Sequence, residues 1–305
     1  MKPPASLSLD LDNQWSYLKI HGDPGWERYP SYLDLVVPRA LALLRAFDAR
    51  ITVFIVGADA ARAENVESIA EIARAGHEIG NHSYHHEPWV ARAEAPLVYD
   101  ELSRAHDAIV GATGIEPRGF RGPGFATSTT LFDVLARLGY RYDASRLPTF
   151  IGPLARWYYF RGAALSREER ALRGELFGSW RDGLHRNRAH DVATRFGPLV
   201  EVPVTTMPGA RVPIHFSYLH YLERLSPRAA ERYFVTALAL CRITRTQPSL
   251  LLHPLDFLGG DDVPSLRFFP GMDRSGAEKL AATERFVRIL AERFAITTVA
   301  EHACA

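Results

Sequence analysis

Histidine and aspartate residues in two distant segments could together hold a divalent metal ion. His82 and His86 are four residues apart, so one helical turn or a tight loop can direct both imidazoles at one point. A neutral imidazole is the commonest protein ligand for metals such as zinc. Asp10 and Asp12 alternate with leucines in the run 7–12, and residues two apart on a strand face the same side. The two segments therefore offer three ligands and a base.

The aspartate pair is hard to reconcile with an ordinary core strand. An unpaired buried carboxylate is strongly disfavoured, so each one needs a cation or a hydrogen-bond donor. The alternative for Asp10 and Asp12 is a strand end exposed to solvent. The alternative for His82 and His86 is surface decoration, since the chain has 12 histidines. The presence of both pairs in one chain favours a metal site.

Two further residues follow short strand-like runs and could complete a catalytic site. Arg121 precedes a Gly-Pro-Gly turn, and its guanidinium could hold the Asp10 carboxylate bidentately, which keeps a base ionised. His253 directly follows the run 250–252 and could protonate a leaving amine. The alternatives are a structural ion pair for Arg121 and a hydrogen-bonded core histidine for His253. A metal with an open position, a base and an acid would suit the hydrolysis of an amide or ester.

The hydrophobic pattern predicts the framework that would position these residues. Helical spacing alternates with β-branched runs, which is typical of an α/β fold with a parallel sheet or a barrel. Helices are predicted at 38–49, 68–75, 97–110, 127–138, 227–241 and 276–294, and strands at 51–56, 77–80, 118–121, 199–205, 250–252 and 296–299. Pro38 is expected in the first turn of its helix. The candidate residues follow strands, and the carboxyl ends of parallel strands are where such folds place their active sites.

The stretch 147–197 interrupts this alternation and is predicted to be an insertion. It is rich in arginine and in aromatic residues, among them Trp157 and Trp180. A long insertion is typical of a functional lid or a docking surface. The alternative is a pair of helices packed on the barrel with a solvated basic face. The stretch is also a candidate for peripheral membrane contact, because it could grip a phosphate together with a lipid or sugar face.

Composition narrows the classes of function. A chain of 305 residues that is 47% hydrophobic can bury a sizeable core, and a formal net charge of +1 gives no support for nucleic-acid binding. Cys241 and Cys304 are the only cysteines, which argues against a disulfide framework and a cysteine-ligated metal. The N-terminus passes at once into the first strand without the apolar stretch of a signal peptide, so a cytoplasmic location is expected.

The order of four motifs resembles that of a known family. The motifs are Asp10-Leu11-Asp12, His82-Ser83-Tyr84-His85-His86, Arg121-Gly122-Pro123-Gly124 and Leu250-Leu251-Leu252-His253. Their order is similar to that in the polysaccharide deacetylases, carbohydrate esterase family four, with their NodB homology domain. The resemblance covers most of the chain. It implies a single α/β domain over residues 1–305, a distorted (β/α) barrel with about seven strands, carrying the insertion at 147–197.

The resemblance also implies a division of labour at the site. It assigns Asp12, His82 and His86 as metal ligands, Asp10 as general base, Arg121 as the partner of the base and His253 as general acid. The metal would be a divalent ion, with Zn²⁺ expected and Co²⁺, Ni²⁺ or Mn²⁺ as alternatives. The reaction implied is attack of a metal-bound water on an acyl carbon, with His253 protonating the departing nitrogen.

The chain departs from the common pattern of the family in two places. Leu11 separates two aspartates that are usually adjacent, which matches a subset of relatives that includes cytoplasmic enzymes and lipid-linked aminoarabinose deformylases. The usual Asp-Trp motif that tunes the catalytic histidine is not visible. Asp143 and Glu201 are the candidates for that role. Asn81 and His85 are expected to shape the site without binding metal.

The leading hypothesis is a metal-dependent N-deacetylase that acts on carbon–nitrogen bonds other than peptide bonds. Its substrate would be an N-acetyl or N-formyl amino sugar, either free or as a carrier-linked sugar precursor. One alternative is a hydrolase that opens a cyclic amide ring, as in relatives that resemble allantoinases. The other is a carbohydrate-binding relative that has lost the reaction, although such proteins generally lose the base or the acid, and Asp10, Arg121 and His253 are all present.

Overall fold

A computed structural model of the chain describes residues 2–160, 166–172, 174, 176 and 178–305. Nine strands in this part of the chain form one sheet: β1 (Pro4–Leu11), β2 (Thr52–Ile55), β3 (Glu78–Asn81), β4 (Gly119–Phe120), β5 (Tyr142–Asp143), β6 (His190–Val192), β7 (Leu199–Glu201), β8 (Ser249–Leu252) and β9 (Ala295–Thr297). Their order is β6-β7-β5-β4-β3-β2-β1-β8, and β9 pairs with β1. The pairings are parallel except that of β6 with β7.

Helices connect the strands and cover the sheet. In the described residues they are α1 (Gln14–His21), α2 (Leu33–Ala46), α3 (Gly57–Ala60), α4 (Val66–Arg74), α5 (Ala95–Thr113), α6 (Thr129–Arg137), α7 (Gly152–Tyr159), α8 (Arg167–Leu172), α9 (Phe216–Leu225), α10 (Pro227–Ile243), α11 (Gly276–Arg293) and α12 (Val299–Ala303). No helix within the described ranges has both the length and the apolar character needed to cross a membrane.

The sheet curls until segments from its two ends meet. The chain that continues β7 runs beside the chain that continues β5, and the N–H of Val204 donates to the carbonyl of Arg146 at 2.8 Å. The N–H of Thr205 then donates to the carbonyl of Ser249 in β8, also at 2.8 Å. Because β8 lies at the other end of the strand order, this bond draws the sheet into a distorted barrel. The predicted α/β barrel is confirmed, with nine strands instead of about seven.

Strand β1 separates two environments. Leu7 and Leu9 are fully buried on one face, in a cluster that also contains apolar side chains of α2, α10 and α11. Ser8 and Asp10 alternate with them, and both contact the guanidinium of Arg121 on the inside of the curled sheet. The alternation of leucine with polar residues in the sequence therefore corresponds to a helix-covered face and a polar interior.

Four candidate residues stand directly after strand ends. Asp12 follows β1, His82 follows β3, Arg121 follows β4 and His253 follows β8. These four strands run parallel, through pairings that join β3 to β4, β3 to β2, β2 to β1 and β1 to β8. Their carboxyl ends lie at one end of the barrel, as the sequence predicted.

Two local features differ from the sequence prediction. Helix α2 begins at Leu33, so Pro38 lies inside it and not in its first turn. Burial explains the earlier start, because Leu33 and Val36 are completely buried and the added turns bring them into the core. Helix α9 was not predicted, although it carries a residue that contacts His253.

Gly259 holds the loop after β8 against the start of α11. A Cβ atom there would lie 2.1 Å from the backbone nitrogen of Gly276, and backbone cannot move aside as a side-chain end can. We expect Gly259→Ala to lower the free energy of unfolding by about 1–3 kcal/mol or more through overpacking. Gly111→Ala in α5 is the control, since a Cβ there meets nothing within 4 Å and alanine is the better helix former. Urea unfolding of both variants measures the difference, and equal stabilities would contradict the packing argument.

Candidate metal centre and active site

Asp12, His82 and His86 converge on one point at the carboxyl end of the barrel. The Oδ1 atom of Asp12 is 3.3 Å from Nε2 of His82 and 3.0 Å from Nε2 of His86. The possible ligand atoms of the three residues lie within 4.8 Å of one another, and all three residues are buried. A single ion could therefore contact all of them, as the sequence predicted.

The donor set fits a divalent cation. The Nδ1 atom of His82 lies 2.6 Å from the carbonyl oxygen of Arg121, and a carbonyl only accepts, so Nδ1 carries the proton. The lone pair of Nε2 then faces the Oδ1 atom of Asp12, which has no hydrogen-bond partner in the described residues. Two acceptors that face each other in a buried site need a cation between them. Orientation of a metal-binding histidine by a carbonyl at its other nitrogen is a common feature of metal sites.

The pKa shifts of His82 and Asp12 also indicate that this point favours positive charge. Burial acts to lower the pKa of His82, but Asp10 and Asp12 outweigh it and raise the pKa above its ordinary value. Burial acts to raise the pKa of Asp12, but His86 and His82 hold the pKa of that carboxyl well below its ordinary value. The three side chains thus stabilise positive charge at their meeting point.

The loop that carries the two histidines is a tight turn with an unusual backbone. Ser83 and His86 have φ angles of 62° and 52°, a region that costs non-glycine residues free energy and is often found at functional sites. The buried carboxylate of Glu101 holds the turn by accepting from the backbone N–H groups of Tyr84 and His85 at 2.9 and 2.6 Å. The His85 ring also contacts Glu101 and is 42% exposed, so it points away from the other two imidazoles.

A second carboxylate lies beneath His86. The Oδ1 atom of Asp59 accepts from Asn13, Trp15 and Asn65 at 2.8, 3.0 and 3.2 Å. Burial raises the pKa of Asp59 to about 6, while these bonds and the charge of His86 act against the rise. Its Oδ2 atom and the Nδ1 atom of His86 are both buried without a hydrogen-bond partner. Asp59 is a residue that the sequence did not single out, because nothing in its local pattern connects it to His86.

The candidate base Asp10 is held by a buried arginine. Nη1 of Arg121 donates to Oδ1 of Asp10 at 2.9 Å and to Oγ of Ser8 at 2.7 Å, and Nε donates to the carbonyl of Ala144 at 2.8 Å. The guanidinium carbon also lies 4.5 Å from the ring centre of Phe54. The predicted partnership is present, but it is a single contact and not the bidentate one expected, since Nη1 is shared with Ser8. The Oδ2 atom of Asp10 remains directed toward His82, 3.9 Å from its Nε2 atom.

His253 is supported by a serine and an aspartate. Oγ of Ser217 donates to Oδ1 of Asp256 at 3.0 Å, so its oxygen accepts from Nδ1 of His253, also at 3.0 Å. The Oδ2 atom of Asp256 accepts from the backbone N–H of His253 at 2.8 Å. Burial raises the pKa of Asp256, against the effect of the nearby His253 and Lys279 charges and of these hydrogen bonds. This chain of contacts fixes the ring and directs its Nε2 atom away from Ser217.

The sequence suggested Asp143 and Glu201 as the residues that tune His253, but the structure pairs them with each other. Asp143 and Glu201 contact each other across β5 and β7, and both are fully buried. Burial and the neighbouring Asp143 raise the pKa of Glu201 well above its ordinary value, so the pair shares a proton. The carboxylate that reaches His253 is Asp256, three residues farther along the chain. Local spacing does not indicate this role, because the contact of Asp256 with the His253 ring runs through Ser217 from α9.

A cavity of about 500 Å³, partly open to solvent, lies beside these groups. Asp10, Asp12, His82, His86 and His253 line one side of it. Much of the remaining wall is apolar, and part of it comes from the described residues of the stretch 147–197. His215 also lines the cavity, and burial lowers its pKa to about 3, so that its ring is neutral.

Comparison with known proteins finds a match, over part of the chain, to the family expected from the four motifs. Residues 23–142 match the model of the family described as polysaccharide deacetylase. A peptidoglycan deacetylase of Helicobacter pylori is 29% identical over 175 residues, which are 56% of this chain and 53% of that protein. The chain thus spans about half the length of this relative. The range matched by the family contains His82, His86 and Arg121, whereas Asp10, Asp12 and His253 lie outside it.

Solved structures support the fold. A structure from Mycobacterium smegmatis, provisionally named a polysaccharide deacetylase, has a TM-score of 0.57 at 20% identity and covers 99% of this chain and 94% of its own. A Puue allantoinase has the same TM-score of 0.57 at 16% identity, covering 99% of this chain and 89% of its own. At these identities the similarity shows the fold alone.

Removal of one ligand is expected to prevent metal binding. Without the imidazole of His86, two of the three converging ligands remain. We therefore expect His86→Ala to lower the affinity for one zinc ion per chain by about tenfold to a hundredfold. His85→Ala is the matched control, because it removes an imidazole from the same loop while Glu101 still holds the backbone. Calorimetric titration of the metal-free proteins with zinc measures both. Equal affinity of the two variants would contradict the proposed ligand set.

Proposed function

We propose that the protein is a metal-dependent hydrolase that removes an N-acyl group from an amino sugar, because residues 23–142 match the polysaccharide deacetylase family. The observation that carries the proposal is the assembly of Asp12, His82 and His86 beside Asp10 and His253 at one wall of a single cavity. A binding protein without chemistry would not need a buried base and a supported histidine there.

Asp12, His82 and His86 would hold the metal, and zinc is our choice for two imidazoles and a carboxylate. A divalent ion bound there supplies a Lewis acid and lowers the pKa of water. Asp10 is the group placed to take the proton of the attacking water, because its Oδ2 atom faces the ligand His82. Arg121 orients Asp10 through the bond to its other oxygen.

His253 would protonate the leaving nitrogen. The oxygen of Ser217 accepts a hydrogen bond from the N–H at Nδ1 of His253, so Nε2 is the nitrogen available to the substrate. The carboxylate of Asp256 stabilises the positive ring through Ser217 and through the backbone of His253. The proposed base and the proposed acid therefore come from neighbouring strands, since Asp10 lies in β1 and His253 directly follows β8.

The cavity wall supports a substrate with an apolar portion. Ile20, Leu147 and Leu255 line it, and at its rim Leu154 and Trp157 are 62% and 61% exposed. An open polysaccharide groove would instead need polar groups for sugar hydroxyls. We therefore propose a small or carrier-linked amino-sugar precursor as the substrate, with the stretch 147–197 contacting its apolar part.

Ring-opening hydrolysis of a cyclic amide stays the alternative activity, since the same base and acid could serve it. The product distinguishes the two reactions. Release of acetate or formate from N-acyl amino sugars supports the deacylase, and a ring-opened carboxylate from a cyclic amide supports the alternative.

Asp10→Asn tests the base. The amide keeps the shape of the side chain but cannot accept a proton, so we expect kcat for acyl release to fall by about 10²–10⁴-fold while zinc binding persists. Asp107→Asn on the exposed face of α5 is the control for the same chemical change. The assay measures acetate and formate released from N-acyl amino sugars by zinc-, cobalt-, nickel- or manganese-loaded protein. Unchanged turnover in Asp10→Asn would refute the role of Asp10.

Ser217→Ala tests the support of His253. Loss of a hydrogen bond to a charged ring is expected to lower kcat by about tenfold or more. Ser217→Thr keeps the hydroxyl and should restore most of the rate. A Ser217→Ala variant with the wild-type kcat would show that the contact is structural only.

A further inference from the structure

Lys279 is a buried cation in the same cavity. It lies in the first turns of α11, is only 2% exposed and lines the cavity together with His253 and Asp256. Within the described residues its Nζ atom has one hydrogen-bond contact, to Sδ of Met272 at 3.9 Å, and a thioether is a weak acceptor. The carboxylates of Asp256 and Asp273 act on it electrostatically without forming an ion pair.

The position is unfavourable for a lysine in two respects. Burial without an ion pair disfavours the charge and lowers the pKa of Lys279 to about 8. A cation near the start of a helix also opposes the helix dipole. The residue type is also unusual for this chain, which strongly prefers arginine: the only lysines among its 36 Lys and Arg residues are Lys2, Lys19 and Lys279. A lysine kept in such a place is best explained by a ligand that compensates its charge.

The neighbouring carboxylate does not satisfy this need. Among the described residues Asp256 forms no ion pair with Lys279, and its two oxygens accept from Ser217 and from the backbone of His253. Lys279 therefore offers an ammonium donor in the cavity that holds the candidate acid.

We propose that Lys279 binds an anionic group, a carboxylate or a phosphate, carried by the N-acyl sugar whose acyl group lies at the metal ligands. The inference rests on the proposed function and names its substrate class, an acidic amino sugar. Lys279 is a binding residue in this assignment. Because ammonium and anion meet among apolar walls, their attraction is stronger than it would be in water.

The test compares sugars that differ only in their charged group. N-acetylglucosamine is the neutral probe, N-acetylmuramic acid adds a carboxylate, and N-acetylglucosamine 1-phosphate and 6-phosphate add a phosphate. With zinc-loaded wild-type protein we expect kcat/KM to be about tenfold to a hundredfold higher for one anionic class than for the neutral sugar. The class that is preferred distinguishes a carboxylate from a phosphate. Equal values for all four sugars would overturn the proposal.

Lys279→Met tests the residue itself, since methionine fills similar space without charge. The variant should lose the preference through a higher KM for the anionic sugar, and Lys279→Arg should keep part of it. Lys2→Met, at an exposed lysine, is the control and should keep the wild-type preference. A Lys279→Met protein that still prefers the anionic sugar would overturn the assignment. If Lys279→Met does not fold, the wild-type preference and Lys279→Arg decide.

Failure of the proposed function would be recognised separately. If the wild-type protein hydrolyses none of the four sugars, the deacylase assignment fails for free N-acetyl amino sugars. Calorimetric binding of the same sugars then tests Lys279 alone. Binding of an anionic sugar that is at least tenfold tighter than that of the neutral one, and that is lost in Lys279→Met, supports the anion site, and equal binding refutes it.

Discussion

The buried contact between Arg121 and Asp10 is the constraint on which the interior of the barrel depends. Arg121 is completely buried and joins three strands, through Ser8 and Asp10 of β1, its own position after β4 and the carbonyl of Ala144 after β5. Removing one partner of such a pair leaves an uncompensated charge, which costs about 3–5 kcal/mol. The contact that makes a polar interior tolerable in the fold is therefore also the one that orients the candidate base.

The rest of the site repeats this arrangement with different residues. Each group proposed to act on the substrate is held at the atom opposite to the one it would use: Asp10 by Arg121, His82 by the Arg121 carbonyl and His253 by Ser217. Rigid support of this kind places reactive atoms before the substrate arrives. The supports come from β4 and α9, so the site is assembled from distant parts of the chain.

The sequence predicted the residues that follow strands and missed those that arrive from helices. Asp12, His82 and His253 could be found because each stands directly after the run of a parallel strand, and strand ends share one side of the barrel. Ser217 and Lys279 belong to α9 and α11, and their approach to His253 depends on how those helices pack. No local spacing encodes that packing. For the same reason the sequence favoured Asp143 and Glu201, which lie near the place in the chain where the Asp-Trp motif was expected. In the structure these two side chains contact each other.

Charge balance connects the metal centre to the opposite end of the cavity. Asp10 is already neutralised by Arg121, and a divalent ion would exceed the charge of the single carboxylate ligand Asp12. Lys279 interacts electrostatically with Asp256 but forms no ion pair with it. With a divalent ion bound, the cavity would therefore carry excess positive charge. Apolar walls screen charge poorly, which makes this excess effective on a bound molecule. The same cavity that accepts an apolar group is thus electrostatically suited to an anionic sugar, because the charge that the ligand brings offsets the positive charge of the site.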